Sequence, residues 1–246
     1  MKVNVYPDYE TLSQNVADEI IRCVRNKPDA VLCLAAGDTP RLTYETLTAR
    51  ATKEGIDFSH CTFVGLDEWV GVPLDNEGSC SWFLQRHIFT PLSLSRSQIH
   101  LFDAMASDLE NECNKMNEII SGKGGIDLML VGIGMNGHIG FNEPGALIDS
   151  YAHVIDLDNT TRTVGQKYFR QQMSLTRGIT LGLKHLMEAR QVILIASGER
   201  KAEIIKHTLR GPVTTKVPAT VVRNHPNSMI MLDEAAARWV KGLTRG

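Results

Sequence analysis

Short apolar runs alternate with longer amphipathic stretches along this chain. Runs bounded by polar residues, glycine or proline are typical of strands, and apolar residues at helical spacing are typical of helices. The runs predict strands at Lys2–Tyr6, Ala30–Ala35, Cys61–Leu66, Ile126–Ile133, Val192–Ala196 and Ser228–Leu232. The stretches between and after them predict helices at about Glu10–Asn26, Pro40–Lys53, Ser79–Phe89, Asp108–Ile120, Glu199–Leu209 and Glu234–Gly242.

Several of the strands are apolar at every position rather than at alternate ones. Such strands are covered on both faces, as in a parallel sheet between two layers of helices. With the repeated strand–helix order they predict an α/β fold, a doubly wound (Rossmann-like), mainly parallel sheet with helices on both faces. We expect residues 1–246 to form one domain, because no linker or repeat interrupts the pattern. One stretch, from Gly134 to about Asp156, is predicted to be a long irregular loop, and such loops are often functional.

Composition and charge exclude several classes of function. The chain carries 26 Lys and Arg against 28 Asp and Glu, a net charge of −2, so binding to nucleic acid or to an anionic membrane is not expected. No apolar run approaches the ~18 residues that span a bilayer. The five cysteines form no Cys-x-x-Cys pair, and the first residues lack the apolar region of a signal peptide. We therefore expect a cytoplasmic protein with reduced thiols.

Open parallel sheets bind ligands beyond the carboxyl ends of their strands, and three strand ends here carry unusual residues. The first is the turn Gly37-Asp38-Thr39-Pro40. Gly37 permits a tight turn, and Thr39 is suited to cap the following helix. The free N–H groups at such a helix start bind phosphate well, although Asp38 sits awkwardly beside a dianion. A capped turn without any ligand fits this pattern equally well.

The second strand end is the pair Asp67-Glu68. Two adjacent acids after a buried strand place at least one carboxylate at the mouth of the crevice. A carboxylate there could act as a base that removes a proton from carbon next to a carbonyl or imine. Alternatively, these acids cap a helix or lie on the surface and have no catalytic role.

The third strand end is the glycine-rich stretch Gly132–Gly137, which matches the spacing of the dinucleotide fingerprint. That fingerprint needs a helix directly after its last glycine, whereas two glycines and a proline follow within residues 140–145, so an NAD cofactor is not expected. His138 and Glu143 have no evident third ligand, so a metal is not expected either. A histidine in such a loop, with a glutamate nearby to orient it, favours a proton shuttle.

Together these motifs resemble the glucosamine-6-phosphate deaminase/isomerase family. The resemblance covers essentially the whole chain and is carried by Gly37–Pro40, Asp67–Gly71 and Gly137–Pro144. Residues 27–31 and 176–184 look closer still to the galactosamine-6-phosphate deaminase/isomerase branch. The resemblance implies an enzyme, a monomer or homo-oligomer, whose partner is a phosphorylated amino sugar. It implies conversion of a hexosamine 6-phosphate to the ketose 6-phosphate plus ammonia, without a cofactor.

The resemblance also implies the site residues. His138 opens the sugar ring, Glu143 orients His138 and stabilises its charged form, and Asp67 moves a proton between C2 and C1 through an enolamine. Asn136 stands where many family members have an aspartate. Its amide can orient an imidazole but cannot stabilise imidazolium by charge, so more depends on Glu143. The residues expected to bind the substrate phosphate are Gly37, Asp38, Thr39, Lys167 and Lys201.

Three further departures from the family concern the phosphate and the activator. Asp38 replaces the usual Gly or Ser of the turn and Ala36 the usual Thr, which alters the expected substrate preference. Lys167 stands near a phosphate-binding Arg of the family and keeps its charge but loses the bidentate fork. His153 stands roughly where allosteric members use an arginine for their activator. We therefore do not expect activation by an acetylated sugar phosphate.

Two other functions remain open on similar folds. A 6-phosphogluconolactonase-like hydrolase has the Gly-His loop, but it needs no proton transfer between carbons and usually lacks Phe-Asn-Glu-Pro, so Glu143 argues against it. A non-catalytic sugar-phosphate-binding effector domain is accompanied by a DNA-binding helix-turn-helix. We do not expect such a basic N-terminal module here. The retained Asp67 and His138 also argue against it. The sequence does not distinguish glucosamine 6-phosphate from galactosamine 6-phosphate as the substrate.

Overall fold

The computed structural model describes residues 1–240 and 242, and its strands alternate with helices along the chain. The strands are β1 (Lys2–Tyr6), β2 (Val31–Leu34), β3 (Thr62–Gly65), β4 (Asp67–Trp69), β5 (Ile99–His100), β6 (Leu128–Val131), β7 (His153–Asp156), β8 (Arg177–Thr180), β9 (Val192–Ala196) and β10 (Ser228–Asp233). The α-helices are α1 (Tyr9–Asn26), α2 (Asp38–Glu54), α3 (Cys80–Leu84), α4 (Leu109–Gly122), α5 (Asn159–Gly165), α6 (Leu183–Glu188), α7 (Ala202–Arg210) and α8 (Glu234–Ala237).

Seven of the strands form one parallel sheet in the order β1-β10-β9-β6-β2-β3-β5. Successive side chains of a strand point to opposite faces, and both faces of this sheet are covered. On β2, Val31 and Cys33 pack in a core with α4 and α7, whereas Leu32 and Leu34 pack in a second core with α1 and α2. This two-sided burial confirms the predicted mainly parallel sheet with helices on both faces.

A second, antiparallel sheet in the order β4-β8-β7 is absent from the sequence prediction. The expectation of one irregular loop from Gly134 to Asp156 is therefore wrong at its end, where His153–Asp156 form β7. The cause is pairing over a distance, because β7 is aligned with Arg177–Thr180 of β8. Local periodicity does not record such a partner.

Three predicted helices differ in detail from the structure. The segment Ser79–Phe89 is helical as expected but changes after α3 into a π-helix at Gln85–Phe89. The segment Glu199–Leu209 begins as a 3₁₀ turn at Glu199–Lys201 before α7. The expected helix Glu234–Gly242 ends early, because α8 stops at Ala237 and the Val240 N–H closes a turn onto the Ala237 carbonyl.

The order of the strands places a crevice between β2 and β6. From β2 the chain continues to β3 and β5 on one side, and from β6 to β9 and β10 on the other. Ligands bind in such sheets at the point where the strand order reverses, beyond the carboxyl ends. The turn after β2 and the glycine-rich loop after β6 therefore lie at this point. Within residues 1–240 and 242, no helix has both the length and the apolar character that a membrane crossing requires.

Candidate active site

The turn after β2 presents the start of α2 to the crevice. Gly37 has φ 115° and ψ −179°, a backbone conformation that favours glycine, and α2 begins at Asp38. No side chain caps this helix start, so the expectation that Thr39 caps it is wrong, since Gly37 itself is the cap residue. The first N–H groups of the 17-residue helix are therefore available for an anion.

Two cationic side chains meet the Asp38 carboxylate at this turn. Lys167 Nζ lies 2.7 Å from Asp38 Oδ2, and Arg41 Nη2 lies 3.0 Å from Asp38 Oδ1. Burial opposes the charge of Lys167, but Asp38 and Tyr168 together outweigh burial and raise the pKa of Lys167 above its ordinary value. The structure thus brings together Asp38 and Lys167, two of the residues assigned to the phosphate from the sequence.

Lys201 reaches the crevice from the turn after β9. Its ammonium group donates to the Ile133 carbonyl at the end of β6, at 2.5 Å. Burial lowers the pKa of Lys201 to about 8, with a further lowering by Lys167 and a smaller opposing effect of Asp38. Lys167 and Asp38 therefore both act electrostatically on the Lys201 ammonium group.

The loop after β6 places an imidazole beside a buried carboxylate. His138 Nδ1 lies 3.3 Å from Glu143 Oε2 and 3.0 Å from Thr161 Oγ1. The ring packs directly on Gly134, where a Cβ would approach His138 Nε2 to 2.3 Å. A glycine is required at this position, because any side chain would push the ring away. The loop thus fixes the His138 ring through its Nδ1 side and leaves Nε2 as the other proton-transfer atom.

Asn136 acts on Glu143 rather than on the imidazole. Its amide nitrogen donates to Glu143 Oε2 at 2.8 Å, and its oxygen accepts from the His138 backbone N–H at 3.2 Å. The expectation that this amide orients the imidazole is therefore corrected: Asn136 holds the carboxylate and the backbone, while Glu143 and Thr161 contact the ring. The Asp158 N–H also donates to Glu143, at 3.3 Å.

The surroundings of Glu143 keep it ionised although it is buried. Burial alone would raise its pKa, but hydrogen bonds and charge from His138, with Thr161 and Asn136, lower the pKa of Glu143 below its ordinary value. A buried carboxylate that stays charged stabilises the protonated form of a neighbouring imidazole. The pair can therefore accept and return a proton.

Asp67 opens β4, two residues after the main-sheet strand β3 ends at Gly65. Burial and the neighbouring charge of Glu68 together raise the pKa of Asp67 to about 7, with the Cys80 thiol opposing. Glu68 itself is fully buried and accepts hydrogen bonds from the backbone N–H groups of Trp69, Cys80 and Ser81 at 3.0, 2.9 and 2.8 Å. A carboxylate with a pKa near 7 is suited to act as a base at neutral pH.

Thr180 connects the strand of Asp67 with the loop of His138. Asp67 is the register partner of Thr180 on β8, and the Thr180 hydroxyl accepts from the Phe141 N–H at 3.2 Å. Gly140 packs against the same hydroxyl, where a Cβ would come within 2.7 Å. The buried Thr180 thus joins β4, which begins at Asp67, to the loop that carries His138.

Thr161 and Thr180 are contributors to this site that sequence reasoning missed. Thr161 is buried on α5 and contacts the His138 ring, yet its segment carries no motif that would single it out. Glu68 was noted only as the neighbour of Asp67. In the part of the chain that the structure describes, no three His, Cys, Asp or Glu side chains are grouped so that they could hold a metal ion. After Gly137 the chain turns without a helix, as expected from its glycines and proline.

Comparisons with known proteins show the family to which the chain belongs. The family model described as glucosamine-6-phosphate isomerases/6-phosphogluconolactonase matches residues 8–231. A glucosamine-6-phosphate deaminase of Thermoanaerobacter pseudethanolicus is 40% identical over 238 residues, which cover 96% of this chain and 94% of the relative. A putative deaminase of Escherichia coli, AgaI, is 39% identical over 232 residues, 92% of this chain and 89% of the relative.

A solved structure of a monomeric glucosamine-6-phosphate deaminase superposes on the fold with a TM-score of 0.94 and 34% sequence identity, and the match covers 97% of this chain and 100% of that one. The family model and these relatives span nearly the whole chain, including every strand end that forms the site. The chain therefore belongs to the glucosamine-6-phosphate isomerase/6-phosphogluconolactonase family.

Proposed function

We propose that this protein is a hexosamine-6-phosphate deaminase/isomerase that acts in the cytoplasm. The observation that supports this most is that Thr180 joins the two segments that carry proton-transfer groups. It pairs with Asp67 of β4, whose carboxyl group has a pKa of about 7, and its hydroxyl accepts from the Phe141 N–H of the loop that holds the His138–Glu143 pair. A deaminating isomerase needs one group that moves a proton between oxygens and another that moves a proton between carbons. The relatives named glucosamine-6-phosphate deaminase support the same reaction.

In this proposal His138 begins the reaction by opening the ring of the amino sugar. It takes the proton of the anomeric hydroxyl and returns a proton to the ring oxygen, so that C1 becomes an aldehyde. Glu143 stabilises the imidazolium form between these two transfers, and Asn136 and Thr161 hold Glu143 and the ring. General acid–base catalysis of such a step contributes about 10² to 10⁴-fold in rate.

Asp67 then carries out the transfer between carbons. It removes the C2 proton, and the aldehyde oxygen gains the proton that the substrate's ammonium group gives up, so that an enolamine forms. Asp67 then returns its proton to C1, which leaves a protonated imine at C2. Water adds to this imine and ammonia departs, so that the products are a ketose 6-phosphate and ammonia. The 6-phosphate lies on the N–H groups of the turn Gly37–Thr39 and is neutralised by Lys167 and Lys201.

An ammonia-release assay on the purified protein tests the proposed function. Glucosamine 6-phosphate and galactosamine 6-phosphate are compared at equal concentration, and 6-phosphogluconolactone serves as the control substrate. We expect ammonia and a ketose 6-phosphate from at least one hexosamine 6-phosphate, and no hydrolysis of the lactone beyond the uncatalysed rate. Lactone hydrolysis without ammonia release from either amino sugar would contradict the proposal and favour the lactonase alternative.

A further inference from the structure

Asp38 places a negative charge among the cations of the proposed phosphate site. We propose that Asp38 is a specificity-determining residue, whose carboxylate occupies Lys167 and Arg41 in the absence of substrate and weakens the binding of a dianionic group at sugar carbon 6. This inference rests on the proposed function, since it takes the turn after β2 as the place where the phosphate binds.

The contacts of Asp38 show that its carboxylate takes the position of an anionic ligand. Each oxygen pairs with one cation, Oδ2 with Lys167 at 2.7 Å and Oδ1 with Arg41 at 3.0 Å. Lys167 comes from the 3₁₀ turn Gln166–Tyr168, far along the chain, so this pair bridges two walls of the proposed site. A substrate phosphate needs the same ammonium group and must therefore share it with Asp38 or displace Asp38 from it.

A phosphate can readily displace the Asp38 carboxylate from Lys167, but the negative charge of Asp38 remains near the phosphate. The side chains of Asp38 and Lys167 are 54% and 49% exposed, and an ion pair as exposed as this one is held weakly. A phosphate monoester carries nearly two negative charges at pH 7. Its repulsion from a carboxylate one residue into α2 is only partly screened by solvent, so we expect Asp38 to weaken phosphate binding by about three- to tenfold.

The turn itself does not depend on the Asp38 carboxylate for its shape. The Tyr9 hydroxyl lies 3.0 Å from the Asp38 carbonyl and 2.8 Å from the Thr39 carbonyl, and it accepts from the Leu42 N–H at 3.2 Å. Tyr9 thus holds the first turn of α2 through backbone groups. A substitution at Asp38 that removes the charge should therefore leave the N–H groups in place and reveal the electrostatic effect alone.

The test compares the Asp38→Asn variant with the wild-type protein. The Kd for inorganic phosphate is measured by calorimetry at pH 7.5, and the KM for the hexosamine 6-phosphate by ammonia release. We expect both constants to fall by about three- to tenfold in Asp38→Asn. Asp18→Asn is the matched control, because Asp18 is also an exposed acid, 56% accessible, paired with an arginine 2.5 Å away, but it lies on α1. It should change neither constant.

A second variant separates competition for Lys167 from a general charge effect. Because Asp38 already neutralises Lys167 in the wild type, Lys167→Ala should raise the Kd for phosphate more in the Asp38→Asn background than in the wild-type background. An unchanged or raised Kd for phosphate in Asp38→Asn overturns the inference. Absence of ammonia release by the wild-type protein overturns the proposed function instead, so the two failures are distinguishable.

Discussion

At the scale of single residues, the Asp67 carboxyl group has a raised pKa because the fold buries it. Burial and the negative charge of the buried Glu68 next to it together raise its pKa to about 7. The Glu68 carboxylate is held by three backbone N–H groups, those of Trp69, Cys80 and Ser81. The surroundings of Asp67 are therefore those of a base that works near neutral pH.

The first prediction follows from the pKa of Asp67. A base must be deprotonated to act, so the kcat of the wild-type protein should fall as the pH is lowered through about 7. The Asp67→Asn variant should lose at least about 10²-fold in kcat and should still bind the substrate. Ammonia release between pH 5.5 and 9, with calorimetric binding at pH 7.5, checks both statements. Wild-type-like turnover by Asp67→Asn would falsify the role of the base.

The second prediction concerns Thr161, which contacts the His138 ring at 3.0 Å. Thr161→Val keeps the size of the side chain but removes the hydroxyl, and we expect kcat/KM to fall about tenfold, the usual effect of one lost hydrogen bond. Thr161→Ser is the matched variant, since it keeps the hydroxyl and should retain most of the activity. If the valine and serine variants lost activity equally, packing rather than the contact with His138 would explain the effect.

The sequence predicts part of this site at the residue scale. His138 and Glu143 were expected to pair because they share one short glycine-rich loop, and their 3.3 Å contact agrees with that expectation. Thr161 was not expected, because its contact with His138 joins residues from separate segments of the chain. The Asp38–Lys167 ion pair was also not expected, although both residues were assigned to the phosphate. Such contacts depend on how elements pack, which periodicity does not record.

At the scale of elements, the turn that carries Lys201 is held by a neighbouring strand. Asp233 at the end of β10 accepts from the Gly198 N–H at 2.9 Å and from the Ser197 hydroxyl at 2.5 Å. The same carboxylate accepts from the Ala236 N–H at 2.7 Å and so caps α8. Gly198 has a φ of 86°, and the 3₁₀ turn that follows it ends at Lys201. Asp233 thus fixes the direction from which Lys201 enters the crevice.

The third prediction tests Asp233 as a positioning residue through Ser197. Ser197→Ala removes one contact of the turn and leaves the cap of α8 in place. We expect the KM for the hexosamine 6-phosphate to rise by about three- to tenfold, with kcat changed much less, because the phosphate and not the reacting carbons is affected. Asp108→Asn, at the cap of α4, serves as the control variant. A loss confined to kcat would contradict this account.

Six of the seven strands of the main sheet were predictable, whereas its two-residue edge strand β5 and the strands of the small sheet were not. A strand buried on both faces is apolar at every position, so β2, β6 and β9 are visible in the sequence alone. By contrast, β4 begins with two acids, β8 contains a glycine, and β7 is only partly buried. These strands are stabilised by pairing with one another rather than by their own composition.

At the scale of the whole molecule, the raised pKa of Asp67 has a cost in stability. The folded protein holds the Asp67 proton up to about pH 7, whereas the unfolded chain releases it near the ordinary value of 3.8. Between these values the folded state binds more protons, so the free energy of unfolding falls as the pH rises, and the loss is complete above pH 7. The shift corresponds to at most about 4 kcal/mol, and to less because part of the side chain is exposed.

The fourth prediction is that Asp67→Asn stabilises the protein at high pH. An amide cannot ionise, so the variant avoids the cost that the wild type carries above pH 7. The free energy of unfolding from urea denaturation should favour the variant by a larger margin at pH 8 than at pH 5. A margin that is equal at both pH values would show that the Asp67 carboxyl titrates normally in the folded protein.

The most direct test of the central claim follows hydrogen on carbon. The hexosamine 6-phosphate is converted in D₂O, and the deuterium at C1 of the ketose 6-phosphate is measured by NMR spectroscopy. If Asp67 moves a proton between C2 and C1, C1 of the wild-type product carries hydrogen transferred from C2 together with deuterium that has exchanged onto the Asp67 carboxyl group, and Asp67→Asn forms neither labelled nor unlabelled ketose at a comparable rate. Ketose formed equally fast by both proteins, or lactone hydrolysis as the only reaction, would contradict the account.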